Sequence, residues 1–279
     1  MHRANRNRAI AAACLALGAS AVHAQDDPQI LFSSPGPWRS NPISGAVIDL
    51  GLRTERASSP ADLLAALRRQ EWDLVIIRWF PPYPPDVYFE ILDELTLHVD
   101  TGGALMFSIA ELDRMPEYWP LLGIAGATDL SPPLSFIAGA QPETHPATSG
   151  MAPGDLVPDV DYGDELVLGP ESFALNVYFD LGTPAIVMSN NGRVILNGQQ
   201  WDQWDVASGI DVARAQIQWL LGCPADLDGD GDLTVFDFFE FQNRFDSGGA
   251  SGFADFDYDG QLDVFDFLEF FNLFQAGCD

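Results

Sequence analysis

Ala225-Asp226-Leu227-Asp228-Gly229-Asp230-Gly231-Asp232-Leu233-Thr234-Val235-Phe236-Asp237-Phe238 and Ala254-Asp255-Phe256-Asp257-Tyr258-Asp259-Gly260-Gln261-Leu262-Asp263-Val264-Phe265-Asp266-Phe267 are two copies of one pattern, 29 residues apart. Calcium takes six to eight hard oxygen ligands, and a 12-residue loop supplies them from positions 1, 3, 5, 7, 9 and 12. In the first loop these are Asp226, Asp228, Asp230, Asp232, Thr234 and Asp237. In the second they are Asp255, Asp257, Asp259, Gln261, Asp263 and Asp266. Position 7 contributes its backbone carbonyl, so Asp232 and Gln261 need no particular side chain there. Gly231 and Gly260 hold position 6, where the chain must turn at positive φ. Leu233 and Leu262 hold position 8, placed to pair the loops back to back. A merely solvated acidic run has no reason to repeat glycine and leucine at matching offsets. Two calcium ions are therefore the expected cofactors. Without them the crowded carboxylates repel, so the segment should order only when metal neutralises them.

Each loop runs into Val-Phe-Asp-Phe and an aromatic-rich helix, from Val235 and from Val264. These helices are too apolar for one narrow buried stripe. Two readings stand side by side. A very small core needs every aromatic it can find, or a second apolar face stays exposed as a partner site. No helix precedes the first loop, because Cys223-Pro224-Ala225 leads straight into it.

This duplicated loop and exit helix resembles a dockerin, over about 56 residues from Cys223 to Cys278. The motif that carries the resemblance is Asp at loop positions 1, 3 and 5, Gly at 6 and Asp at 12. It implies calcium-dependent docking onto a cohesin-like or other surface protein. Positions 10 and 11 depart from the cellulosomal type, with Val235-Phe236 and Val264-Phe265 where small hydroxyl residues are usual. Those four residues become the candidate partner contacts. The flanking cysteines are a second departure.

At the other end, Arg3, Arg6 and Arg8 precede an apolar run, and Val22-His23-Ala24 offers small residues at −3 and −1 before Gln25. Residues 1–24 read as a secretory signal peptide. No later stretch is long and apolar enough to span a membrane. Removing the signal takes the formal charge from −28 to about −31, and the chain contains no lysine. Such a chain repels nucleic acid and anionic lipid. Of its 41 acidic residues, 14 lie after Cys223, against the single base Arg244, which is the density a metal module needs. Once the signal is gone only Cys223 and Cys278 remain, and in an exported protein two cysteines flanking one module read as a disulfide.

Residues 25–222 alternate strand and helix signals. Strands are expected at 29–33, 52–55, 73–79, 104–108, 174–180, 185–188 and 193–196. Helices are expected at 44–50, 59–68 (with Ser59 as cap and Pro60 in the first turn), 86–100 and 209–221. The alternation argues a three-layer α/β domain, flavodoxin-like, with a mostly parallel sheet between helices. Ligands of such sheets bind at the carboxyl ends of strands. The loops there carry Trp38, Trp79, Tyr83, Ser108, Trp201 and Trp204. That rim suits a flat ligand such as a sugar ring, or it simply covers the sheet edge.

Asp73-Leu74-Val75-Ile76-Ile77, Thr101-Gly102-Gly103-Ala104-Leu105-Met106-Phe107, His145-Pro146 and Gly192-Arg193-Val194-Ile195-Leu196-Asn197-Gly198 together resemble the class I glutamine amidotransferase-like fold. Active members of that family use a cysteine on the elbow after the Gly-Gly strand. Here Ser108-Ile109 occupies that region, and no histidine follows the last strand, where Asn197 and Gln200 stand instead. The resemblance therefore implies the fold without its Cys-His machinery. A Ser108–His145 pair is the remaining nucleophile–base combination, and no Gly-x-Ser-x-Gly surrounds Ser108.

The expectation is an exported protein of three parts: signal peptide 1–24, α/β domain 25–222, and a small all-α tandem calcium-loop module 223–279. The module serves anchoring or assembly, and the α/β domain carries no visible catalytic machinery. The competing expectation is a secreted hydrolase acting on polysaccharide, displayed through the same tail.

Overall fold

In β1 (Ile30–Ser33) and β4 (Ala104–Ile109) every residue is buried, so both strands have protein on each face. That is why their sequences, Ile-Leu-Phe-Ser and Ala-Leu-Met-Phe-Ser-Ile, run apolar without alternation. The structure is a computed structural model. It describes residues 28–34, 41–79, 85–109, 111–129, 136–138, 147, 155–156, 163–170, 172–178, 181–198, 206–223, 225–227, 233–246, 254, 256 and 261–277.

Five strands are parallel neighbours. β2 (Thr54–Ala57) forms one edge, followed by β1, β3 (Leu74–Trp79), β4 and the late strand β11 (Val194–Asn197). The order 2-1-3-4 with one further strand is the flavodoxin-like arrangement. The expected strand at 52–55 begins two residues later, because Leu52 N–H closes the end of α1 (Pro42–Asp49) through Val47 O at 3.1 Å.

The two-residue period of the strands splits the core in two. Ile30, Phe32, Leu74, Ile76, Ala104 and Met106 point to one side and meet Ile43 and Val47 of α1 and Val212 and Ile217 of α4 (Val206–Leu221). Leu31, Val75, Ile77, Leu105 and Phe107 point to the other side. They meet Leu63 and Ala66 of α2 (Pro60–Arg69) and Ile91 and Leu95 of α3 (Pro85–Asp100). Each fully buried Leu, Ile or Phe contributes about 1.5–3 kcal/mol of transfer free energy, so these two layers dominate the stability. The second helix starts as expected, Ser59 accepting from Asp62 N before Pro60, but α1 starts two residues before the expected 44, because Asn41 caps it by accepting from Ser44 N and Pro42 opens its first turn.

Beyond β11 the sheet continues antiparallel through β10 (Pro184–Ser189), β9 (Ser172–Tyr178), β6 (Phe136–Ala138) and β7 (Asp155–Leu156), giving nine strands. Asn190, Asn191 and Gly192 all take positive φ in the β10–β11 turn. Asparagine and glycine are the residues that tolerate such a turn. β5 (Ile124–Asp129) and β8 (Asp164–Leu168) form a separate antiparallel pair. The expected strands at 174–180 and 185–188 are met by β9 and β10, but the sequence reading did not give their antiparallel direction or the β5–β8 pair.

In the tail, α5 (Val235–Asp246) and α6 (Val264–Ala276) enclose a core of Ala225, Leu227, Phe241, Ala254, Phe256 and Phe270. Phe270 is fully buried, stacks on Phe241 at 4.7 Å and meets Phe238 edge-on at 5.0 Å. Leu233 and Leu262, the two position-8 residues, both pack against this core. Val235, Phe236, Phe239, Val264, Phe265 and Leu268 remain exposed. The aromatics therefore divide, one set building the core and another staying exposed.

Candidate functional site

The parallel strands deliver Ser33, Trp79, Ile109 and Asn197 to one edge of the sheet. The polar groups there are largely occupied with each other. Arg78 Nη1 donates to Ser34 Oγ at 3.2 Å, and the buried Asn197 and Gln216 exchange amide hydrogen bonds at 2.9 Å in both directions. Ser108 is buried in β4 with Arg78 and Asn197 as its lateral neighbours in register. His98 is no base for it. Its Nε2 lies 2.8 Å from Ala104 O, at the opposite end of β4, and four residue steps along the strand put Ser108 about 13 Å from Ala104. His145, Trp38, Tyr83, Trp201 and Trp204 lie outside the described residues, and Trp79 is described by its backbone alone. The aromatic rim and the Ser108–His145 pair thus rest on the sequence.

The turn after β4 carries a feature that sequence reading missed. Glu111 adopts φ 69°, ψ 35°, a left-handed conformation unusual for a residue with a side chain. It stands two residues past the strand, beyond Ser108 and Ile109, at the elbow that leads into the 3-10 turn 112–114. Its carboxylate is engaged by Arg114 Nη1 at 2.5 Å.

Next to this elbow three carboxylates converge. One oxygen each from Asp113, Asp129 and Asp164 lie within 4.8 Å of one another. Asp129 and Asp164 are cross-strand partners in the β5–β8 pair, and Asp113 sits in the short 3-10 turn 112–114. Asp164 is completely buried. Its Oδ2 accepts from Leu112 N at 3.0 Å and its backbone N–H donates to Gly198 O at 2.8 Å. Its carbonyl accepts from Tyr178 Oη at 3.1 Å. These bonds pin β8 between the ends of β4 and β11. Burial pushes the Asp164 carboxyl up to about 6; the Leu112 N–H opposes this, while the charges of Asp113 and Asp129 add to it. No sequence motif announces the group, because only the β5–β8 pairing assembles it.

In the tail, the two loops end in matching geometry. Asp237 is fully buried; its Oδ1 accepts from Leu227 N and its Oδ2 from Thr234 N, each at 2.7 Å. Asp266 is fully buried as well; its Oδ1 accepts from Phe256 N and its Oδ2 from Asp263 N, each at 2.7 Å. In both loops the position-12 carboxylate thus ties position 2 to position 9. Thr234 Oγ1 and Asp263 Oδ1 in turn accept from Phe236 N at 3.1 Å and Phe265 N at 2.8 Å, opening the helices alike. The described members of the ligand sets, Asp226, Thr234, Asp237, Gln261, Asp263 and Asp266, are all oxygen donors, as a hard cation requires. Asp228, Asp230, Asp232, Asp255, Asp257 and Asp259 lie outside the described residues. Cys223 is disulfide-bonded, and Cys278, its expected partner, also lies outside them.

No protein-family model and no curated protein matches the chain. Among solved structures, a glutamine amidotransferase from Thermotoga maritima aligns at 10% identity and TM-score 0.48, covering 70% of this chain and 98% of that one. A ThuA-like protein from Parabacteroides merdae aligns at 10% identity and TM-score 0.47, covering 69% and 89%. A beta-galactosidase from Bacillus circulans sp. alkalophilus aligns at 12% identity and TM-score 0.47; 70% of this chain is covered but only 30% of that enzyme. The fold assignment rests on the strand order itself. No described helix is long and apolar enough to cross a membrane.

Proposed function

We propose that this chain is an exported anchoring protein whose carboxy-terminal module, residues 223–279, binds two calcium ions and docks in dockerin fashion onto a cohesin-like or other surface protein. The α/β domain is the displayed cargo and needs no catalysis of its own for this role. The observation that carries the reading is the duplicated anchoring of Asp237 and Asp266, with the same donors at the same loop positions. A second observation supports the docking face. Val235 and Phe236 of one helix and Val264 and Phe265 of the other are exposed by 56–61%, at equivalent positions of the two copies. Apolar residues held in water at matching places offer a partner two related grips. Calcium would supply the charge that lets the acidic loops close, and so fix the angle at which the two grips are presented.

The test is retention of the full chain on the envelope fraction of the producing cell. Retention should occur in calcium, be reversed by chelator, and be lost in the double variant Phe236→Ser, Phe265→Ser and in Asp226→Ala, Asp255→Ala. Equal retention of all three proteins with and without chelator would refute the proposal.

A further inference from the structure

The α/β domain holds a carboxylate group with no place in the tail's chemistry. Asp113, Asp129 and Asp164 bring three oxygens within 4.8 Å of one another. Two further facts set it apart from an ordinary acidic surface. Asp164 is completely buried, and its Oδ1 has no hydrogen-bond partner; the Oδ1 of Asp113 is also buried and unpartnered. A buried acceptor left without a donor costs about 1–3 kcal/mol, and more when it is charged. Arg114, the nearest cation in sequence, is turned to Glu111 instead. A positive ligand is what both orphaned oxygens and the mutual repulsion call for.

We propose that Asp113, Asp129 and Asp164 form a divalent-cation site, separate from the tail loops, at the carboxyl edge of the sheet beside β4 and β11. The donor set is oxygen alone, which selects a hard cation. Separations within 4.8 Å admit calcium and magnesium alike, and calcium is the probe used below. Three carboxylates offer up to six oxygens, and the exposed Asp129 leaves a route for the ion and its remaining waters. The bound ion would fasten the β5–β8 pair to the Glu111 elbow, since Asp113 lies two residues beyond the elbow and Asp164 receives the Leu112 N–H.

Equilibrium dialysis of calcium on the metal-free full chain, paired with tryptophan-detected melting, tests this. The wild type should hold one more calcium per chain than Asp129→Asn, an exposed substitution that leaves the buried hydrogen bonds of Asp164 alone. Calcium should raise the tryptophan-detected melting midpoint of the wild type and leave that of Asp129→Asn unmoved. Asp164→Asn should lose the same ion. In the Asp226→Ala, Asp255→Ala background one calcium should remain and disappear when Asp129→Asn is added. If Asp129→Asn holds as many ions as its parent in both backgrounds, the three carboxylates simply share a proton and the proposal is overturned. If instead the tail substitutions remove no ion while Asp129→Asn removes one, the site stands and the calcium reading of the tail fails.

Discussion

Replacing Asp237 by alanine deletes the carboxylate that ties the first loop to its helix. Both oxygens accept backbone N–H groups at 2.7 Å in a fully buried position. Alanine leaves the Leu227 and Thr234 N–H groups without acceptors. A hydrogen bond to a charged group contributes about 1.5–3 kcal/mol, so the loss is roughly 3–6 kcal/mol before any effect on metal. A module of 57 residues has a total stability of roughly 3–9 kcal/mol. The variant tail should therefore be largely unfolded or close to it at room temperature. Asp266→Ala should cost the same, because its donors and distances match. All seven tryptophans lie at or before Trp219, so tryptophan emission follows the α/β domain alone. Urea unfolding of the full chain, read by far-ultraviolet circular dichroism and by tryptophan emission, separates the modules. The dichroism should show the tail's helical signal lost at lower urea in both variants, with the emission transition unmoved. Dichroism curves that overlay the wild type would refute the clamp. An emission transition that shifts equally would refute the independence of the two parts.

Phe270→Ala removes the ring at the centre of the tail core, in contact with Phe238, Phe241 and Phe256. It should cost about 3–5 kcal/mol, seen in the dichroism transition and absent from the emission transition. Reduction should loosen the tail by up to about 4 kcal/mol and leave the tryptophan-detected melting unchanged; equal destabilisation of both would sink the idea of a local clasp. His98 supplies a pH dependence. Burial holds its imidazole below the ordinary 6.5, with the Ala104 carbonyl opposing in part. The fold keeps it neutral while the unfolded chain takes the proton, so its contribution is intact above about pH 6.5 and is lost as pH falls below that. The stability difference between wild type and His98→Gln should shrink from about pH 7 to about pH 5; a difference constant with pH would contradict the assignment.

The parallel half of the domain was legible because β1, β4 and β11 are buried along their whole length and α2 carries its own cap at Ser59-Pro60. In the antiparallel half β9 and β10 were legible as strands, but their direction and their partners were not. β5, β6, β7 and β8 are short or half-exposed, and their partners lie far away in sequence; the β5–β8 register joins Asp129 to Asp164. One local signal did exist: Asn190-Asn191-Gly192 between two apolar runs is a hairpin turn, and it marks β10 and β11 as antiparallel. In the tail the loop pattern located the two clamping aspartates, Asp237 and Asp266, while the split of the aromatics into core and exposed sets needed the packing of α5 against α6. Glu111 and the three converging aspartates were illegible. Backbone strain and a cross-strand carboxylate pair leave no spacing rule in the chain.

Isothermal calorimetry of calcium into the metal-free full chain, run beside the Asp226→Ala, Asp255→Ala variant, reaches the central claim most directly. Binding by the wild type should exceed that of the variant by two ions, and only the wild type should gain helical dichroism as calcium is added. Superimposable isotherms from the two proteins would contradict the account.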